Sequence, residues 1–200
     1  MFIPSTCKNL LAATLAASAL AFAGAAWATP FVFSTGDPDG KIATGSRPSS
    51  AGKIESESAD DFVLSDHTRI TKASFTGLLP DFENVGSVVV EIYRVFPFDS
   101  THPPSGNVTT RVNSPSDVAF DTRSNNSGLS FTSTVLNGLF AAANPVLDGI
   151  NKSANEFTGG EGPVSGEEVR FNAASTTLFD LVAGHYFFIP QVKLTTGDFQ

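Results

Sequence analysis

The chain has 200 residues, with 20 Asp and Glu against 12 Lys and Arg, and a net charge of −8. That balance excludes a basic nucleic-acid-binding face and disfavours adhesion to anionic lipid. The single Cys, Trp and Met are Cys7, Trp27 and Met1, so everything after residue 28 is without disulfides, thiol nucleophiles or Cys-based metal sites.

The first element is an address rather than part of a fold. Lys8 supplies a short positive region. Residues 10–26 are Leu, Ala and Phe, broken only by Thr14, Ser18 and Gly24, and the run ends in Ala26-Trp27-Ala28 ahead of Thr29-Pro30. An A-x-A pattern after such a run marks a secretory signal peptide over residues 1–28. Cys7 lacks the small-residue context of a lipoprotein signal. The secreted protein is expected to begin at Thr29. N-terminal sequencing that returned Met1 would overturn this reading. Loss of Lys8 leaves residues 29–200 one unit more negative. They number about 170, enough for one domain with a real core. Without disulfides that core must hold the domain. The aromatic residues are mostly Phe, 18 in all, with Tyr only at positions 93 and 186. Phe fills cores, whereas sugar-stacking platforms favour Trp and Tyr.

Residues 29–34 (TPFVFS) predict a short first strand. Residues 35–52 are rich in Gly, Ser, Pro and Asp and predict a loop. Within it Asp37-Pro38-Asp39-Gly40 is a turn, because Pro presets φ and Gly accepts positive φ. Residues 54–64 (IESESADDFVL) alternate and become a strand by Ala59. Residues 69–79 alternate Ile70, Lys72, Ser74 and Thr76 against Thr71, Ala73, Phe75 and Gly77, and Pro80 closes that strand. Residues 87–96 (SVVVEIYRVF) are the densest β-forming run. Val88, Val90 and Ile92 share one face and Val89, Glu91, Tyr93 and Val95 the other, which fits a central strand.

Residues 97–107 predict a loop, 108–113 and 117–121 short strands, and 124–128 a turn. Residues 129–142 (LSFTSTVLNGLFAA) predict a long strand with Leu129, Phe131, Ser133 and Val135 on one face and a bulge or bend at Gly138. Residues 143–166 read as a long surface loop. Residues 167–173 put Val169, Phe171 and Ala173 inward. Strands over 177–182 and 185–194 follow, divided by the Ala183-Gly184 turn. Short strands, Gly/Pro/Asn turns and no long helix indicate an all-β antiparallel sandwich, with jelly-roll-like topology as the expected wiring.

Two stretches carry a resemblance. One is Glu57-Ser58-Ala59-Asp60-Asp61-Phe62-Val63-Leu64 with Ile70-Thr71-x-Ala-x-Phe75-x-Gly77. The other is Phe179-Asp180-Leu181-x-Ala183-Gly184-His185-Tyr186-Phe187-Phe188, a "leucine-x-alanine-glycine-x-tyrosine" hairpin. With Val90-Glu91-Ile92-Tyr93-Arg94-Val95-Phe96-Pro97 and Arg111-Val112-Asn113-Ser114-Pro115-Ser116-Asp117, they resemble the exported β-sandwich proteins found with PEP-CTERM sorting signals. The resemblance spans about residues 31–192. It implies export and surface or matrix association, and no catalytic residues. Such proteins usually close with Val-Pro-Glu-Pro, a membrane-spanning run and a basic tail. None is present up to Gln200. The expectation is therefore a C-terminally truncated member without a membrane span, with residues 185–194 as an exposed, unpaired edge that favours self-association.

Catalytic chemistry finds little support. Asp60-Asp61 and Glu167-Glu168 are adjacent in strands and point to opposite faces, so neither pair makes a shared acid–base site. One aspartate of the first pair is expected to cap the strand entrance. His67, His102 and His185 have no metal-ligand spacing and read as turn or solvated residues. No G-x-S-x-G supports a Ser-His-Asp triad. Asp37 and Asp39 resemble part of a calcium loop, which makes a structural Ca²⁺ the one cofactor to test for, although the D-x-D-x-D-G pattern is incomplete. The expectation is a non-enzymatic secreted sandwich that binds extracellular matrix, or a surface polysaccharide or protein, through the loops at 97–107 and 143–166. The alternative is a carbohydrate-binding module or a fragment of a polysaccharide-active enzyme, favoured by an exposed Tyr93 or Tyr186 beside carboxylates.

Overall fold

The computed structural model describes residues 30–50, 52–53, 55–80, 85–95, 116, 118–146 and 162–200. The chain divides into two units, Met1–Phe31 and Val32–Gln200. Of the first, only Pro30 and Phe31 are described, both exposed and outside any strand.

The second unit is an all-β sandwich, as the alternation predicts. Among the described residues its strands are β1 (Ile42–Thr44), β2 (Asp60–Leu64), β3 (Thr68–Leu79), β4 (Val85–Arg94), β5 (Asp121–Ser124), β6 (Leu129–Ala142), β7 (Asn144–Val146), β8 (Val164–Leu181) and β9 (Gly184–Leu194). One sheet runs β2-β9-β4-β5 and the facing one β3-β8-β6, all antiparallel. The pairing is nested: β2 meets β9 in one sheet while β3 meets β8 in the other. That is a jelly-roll-like wrapping of an antiparallel ribbon.

Burial follows strand parity. On β4, Val88, Val90 and Ile92 are buried, and on β8, Val169, Phe171 and Ala173. They meet Phe62 and Leu64 of β2, Leu129 of β6, and Tyr186, Val192 and Leu194 of β9 in one core. Each large apolar side chain there contributes about 1.5–3 kcal/mol of burial. β4 has β9 on one side and β5 on the other, so it is the internal strand its composition predicts.

The hairpin motif has a packing explanation. The Tyr186 hydroxyl donates to the Val182 carbonyl at 3.0 Å. A Cβ at Gly184 would lie 3.1 Å from the Tyr186 ring. The small residue thus lets the ring fold back over its own turn, and the buried hydroxyl is satisfied.

Several expectations change. Residues 30–34 form no strand; Phe33 instead packs its ring 6.1 Å from that of Phe62 without backbone pairing. The predicted loop over 35–52 contains β1, which runs parallel to β7 from within the other predicted loop. Three residues suffice because hydrogen bonds extend the pairing at both ends: Ala143 N–H to the Gly40 carbonyl and Gly45 N–H to that of Val146. The strand expected at 117–121 starts only at Asp121; among the described residues Val118–Phe120 make a single backbone bond to β4, Phe120 N–H to the Ile92 carbonyl. The two strands expected at 167–173 and 177–182 are one, β8. Its register against β3 jumps between Ile70 and Lys72, which face Phe179 and Ala174, so extra β8 residues bulge out rather than break the strand. The predicted bend at Gly138 is present as register shifts between Val135 and Phe140. Residues 97–107, 108–113 and 147–161 lie outside the described residues.

The expected unpaired edge at 185–194 is also corrected. β9 is an internal strand, between β2 and β4. Beyond the reach of β2, Ser46 takes over that side, accepting a bond from Val192 N–H at 3.0 Å. Ser46 N–H in turn donates to the Phe199 carbonyl, and Gln200 exchanges backbone bonds with Leu78 of β3. Phe199 is buried in the core.

Candidate functional site

A cluster of acidic and hydroxyl groups stands on the outer face of the four-stranded sheet. Parity dictates two of them: with Val88, Val90 and Ile92 turned inward, Glu91 and Tyr93 must point out. Thr122 lies directly opposite Glu91 on β5, and Ile189 opposite it on β9. The segment that leaves Arg47 and returns through Ser56 crosses this face. It is tied by paired Arg47–Ser56 backbone bonds and by the Ser56 and Ser58 hydroxyls on the Gly45 carbonyl. It brings Glu55 and Glu57 over β4 and β9.

One carboxylate oxygen each from Glu55, Glu57 and Glu91 lie within 4.8 Å of one another. The Tyr93 hydroxyl donates to Glu57 at 2.9 Å and reaches Glu91 at 3.3 Å. Buried Gln191 donates to Glu55 at 2.8 Å, and the Thr122 hydroxyl to Glu91 at 3.3 Å. Glu57 keeps solvent contact, yet enough protein surrounds its carboxyl group to push its pKa from 4.5 up to about 7; burial is the main cause, opposed by the Tyr93 hydrogen bond and reinforced by Glu55 and Glu91. The Tyr93 hydroxyl is raised too, first by burial and then by the carboxylates beside it, so it stays a donor.

The sign of the linkage follows. A carboxyl group raised in the fold binds its proton more tightly there than in the unfolded chain. Its contribution to stability is complete below pH 4.5 and is lost as pH rises through about 7. Glu57→Gln is therefore expected to flatten the fall in melting temperature across that window. It should also leave the variant more stable than the wild type above neutrality. A pH profile that keeps its slope in the variant would remove Glu57 from this role.

The residues singled out in the sequence are placed differently. Asp37 and Asp39 sit in an exposed loop. Both oxygens of Asp39 are engaged by Lys41, one by its backbone N–H at 3.0 Å and one by its ammonium at 2.7 Å. That ammonium holds the Asp39 carboxyl below its ordinary value. Asp37 is 3.9 Å from Arg170. Asp61 does not cap its strand. It meets the His185 imidazole at 2.6 Å, diagonally across β2 and β9. His67, in the turn before β3, pairs with Asp180; His102 lies outside the described residues. Glu167 and Glu168 stand opposite Leu79 and Leu78 on β8.

Among the described residues, Glu55, Glu57 and Glu91 are the one group of three side chains close enough to hold a metal ion. Three oxygens would suit a hard cation such as Ca²⁺. Sequence reading missed the group because Glu55 and Glu57 reach Glu91 only where the segment between Arg47 and Ser58 crosses the sheet; the available signal was the shared parity of Glu91 with Tyr93 and of Glu55 with Glu57. Melting in millimolar Ca²⁺ against EDTA tests both acid sets. A rise abolished by Asp37→Asn assigns the ion to the loop, one abolished by Glu57→Gln to the sheet face, and no rise removes it from both.

No protein-family model, curated protein or solved structure matches this chain.

Proposed function

We propose that this protein is exported and acts without catalysis, by binding extracellular matrix or a surface polysaccharide or protein. The outer face of the four-stranded sheet serves as its contact face. The observation that carries this reading is Tyr93 standing half-buried among Glu55, Glu57 and Glu91. A sandwich needs no such cluster for its core; β4 holds Glu91 and Tyr93, and the segment tied to the Gly45 carbonyl holds Glu55 and Glu57. Carboxylates around an aromatic ring suit hydroxyl-rich or cationic surfaces. The test is binding of the secreted protein to matrix material from the producing cells. Tyr93→Ala is expected to weaken it at least ~10-fold, as loss of a central anchor does. Equal binding by wild type and variant would move the contact face elsewhere.

The carbohydrate-binding reading keeps one supporting observation, the same Tyr93 beside carboxylates. Tyr186 offers it nothing, being 1% exposed inside the core. A glycan array probed with the purified protein separates the two: selective glycan retention lost in Tyr93→Ala favours the module, and a blank array favours a protein partner.

A further inference from the structure

Asn137-Gly138 is the sole Asn-Gly pair in the chain. An asparagine before glycine can close on itself: the backbone nitrogen of the glycine attacks the side-chain carbonyl carbon, and no Cβ hinders the approach. Inside a regular strand the ladder holds the backbone extended and keeps the two atoms apart. β6 is not regular here. Its register against β8 shifts between Val135 and Asn137 and again between Asn137 and Phe140. Gly138 and Leu139, between those shifts, have no register partner on β8 among the described residues. Asn137 and Gly138 are both exposed, and a Cβ at Gly138 would meet nothing within 4 Å.

The side chain is already turned toward the reacting nitrogen. The Leu139 N–H donates to Asn137 Oδ1 at 3.1 Å. That bond closes an Asx turn, a ring that contains both Cγ of Asn137 and the nitrogen of Gly138, so the amide lies folded over the peptide that attacks it. It also puts a donor on the oxygen where negative charge develops as Cγ becomes tetrahedral. The other described asparagines are placed differently. Asn125 Oδ1 is taken by the Val88 N–H at 3.0 Å. Asn126 precedes Ser127, whose N–H is held by the Ser124 carbonyl at 2.8 Å. Asn144 precedes Pro145, whose nitrogen has no proton to lose. Asn172 lies in regular pairing on both sides, opposite Ser74 and Thr132.

We propose that Asn137 is a self-modification site, which converts to aspartate and isoaspartate in the folded protein. Hydroxide takes the Gly138 amide proton, and the nitrogen bonds to Cγ of Asn137. The Cγ–Nδ2 bond breaks, and Nδ2 leaves as ammonia with a proton supplied by water. A water molecule then opens the cyclic imide, at Cγ to give aspartate or at the main-chain carbonyl carbon to give isoaspartate. No oxidant or reductant takes part. Either product sets a carboxylate opposite Glu168, in a stretch with no other charged residue from Ser124 to Val146. Like charges directly opposite each other weaken a strand pair.

Incubation of the secreted protein at mildly alkaline pH, followed by peptide mass spectrometry, tests this. Asn137 is expected to gain the mass of an amide-to-acid change, and to do so at least as fast in the folded protein as in urea. Asn172 is expected to convert faster in urea. Enzymatic methylation of isoaspartate marks the second product. Gly138→Ala, whose added Cβ meets open space in the fold, is expected to keep a β circular dichroism spectrum and to slow conversion at least ~10-fold by impeding the approach of the nitrogen. Asn137→Gln, whose longer side chain closes the wrong ring, is the second variant should the first fold poorly, and is expected to abolish the mass gain at this position. A folded-state rate at Asn137 clearly below the rate in urea overturns the proposal, by showing that the strand protects the site. An unchanged rate in folded Gly138→Ala overturns it as well, and so does an undiminished mass gain at position 137 in Asn137→Gln.

Discussion

Phe199→Ala is expected to lower the stability of the protein by about 3–5 kcal/mol, the range for emptying a buried Phe site. Phe199 is 3% exposed. Its ring stands edge-on to Phe171 at 5.5 Å and to Phe75 at 6.1 Å, an arrangement that aromatic quadrupoles favour. The pocket exists because residue 77 is Gly. A Cβ there would lie 2.6 Å from the Gln200 carbonyl oxygen and closer still to the Phe199 ring. Gly77→Ala should therefore destabilise through the same contact, since the obstacle is backbone as well as ring. The two substitutions touch one site, so their effects should not add. Denaturant titration measures this as a fall in midpoint with unchanged slope. Domains of this kind hold only about 5–15 kcal/mol in total, so a loss of that size would be plain. A change below about 1 kcal/mol would mean that the ring does not support the core.

Much of this fold was legible because period-two burial is a local signal. Val88, Val90 and Ile92, and Val169, Phe171 and Ala173, announce their faces without knowledge of their partners. The limits of β6 were readable for the same reason, its ends being set by the Ser127-Gly128 turn and by Ala143. What stayed hidden is held by contacts between distant residues. β1 and β7 are three residues each, too short for any periodicity, and exist because Gly40–Gly45 and Ala143–Val146 meet. The burial of Phe199 was not legible, because nothing in its neighbourhood names Phe75 and Phe171 as its companions. The acidic cluster was half legible. Parity put Glu91 and Tyr93 on the outer face, but only the crossing of the segment between Arg47 and Ser58 delivers Glu55 and Glu57 to them. The place of β9 divides the same way: its apolar run is local, but only the sheet order puts it between β2 and β4.

Asp198→Ala is expected to cost about 3–5 kcal/mol, the range for breaking a buried ion pair from one side. Asp198 lies beside two cations brought together by the irregular hairpin of Arg47 and Ser56. Its Oδ1 is 2.8 Å from the Lys53 ammonium and 3.4 Å from Arg47 Nη1. The Arg47 side chain is 8% exposed and that of Asp198 18%. A guanidinium so far from water depends on nearby negative charge, and removing the carboxylate takes away one of its partners while Lys53, a like charge, stays close. Lys53 keeps its bond to the Gly197 carbonyl at 2.8 Å, so its own loss is smaller, being more exposed and able to turn outward. Arg47 therefore carries most of the expected cost. Arg47→Met placed on Asp198→Ala should recover part of the lost stability, since an apolar side chain of similar length fills the site without a charge. The double variant should then be more stable than Asp198→Ala alone. If instead it is less stable, Arg47 holds the segment through contacts other than its charge. A loss under about 1 kcal/mol in Asp198→Ala would place the pair among surface ion pairs, whose contribution is that small.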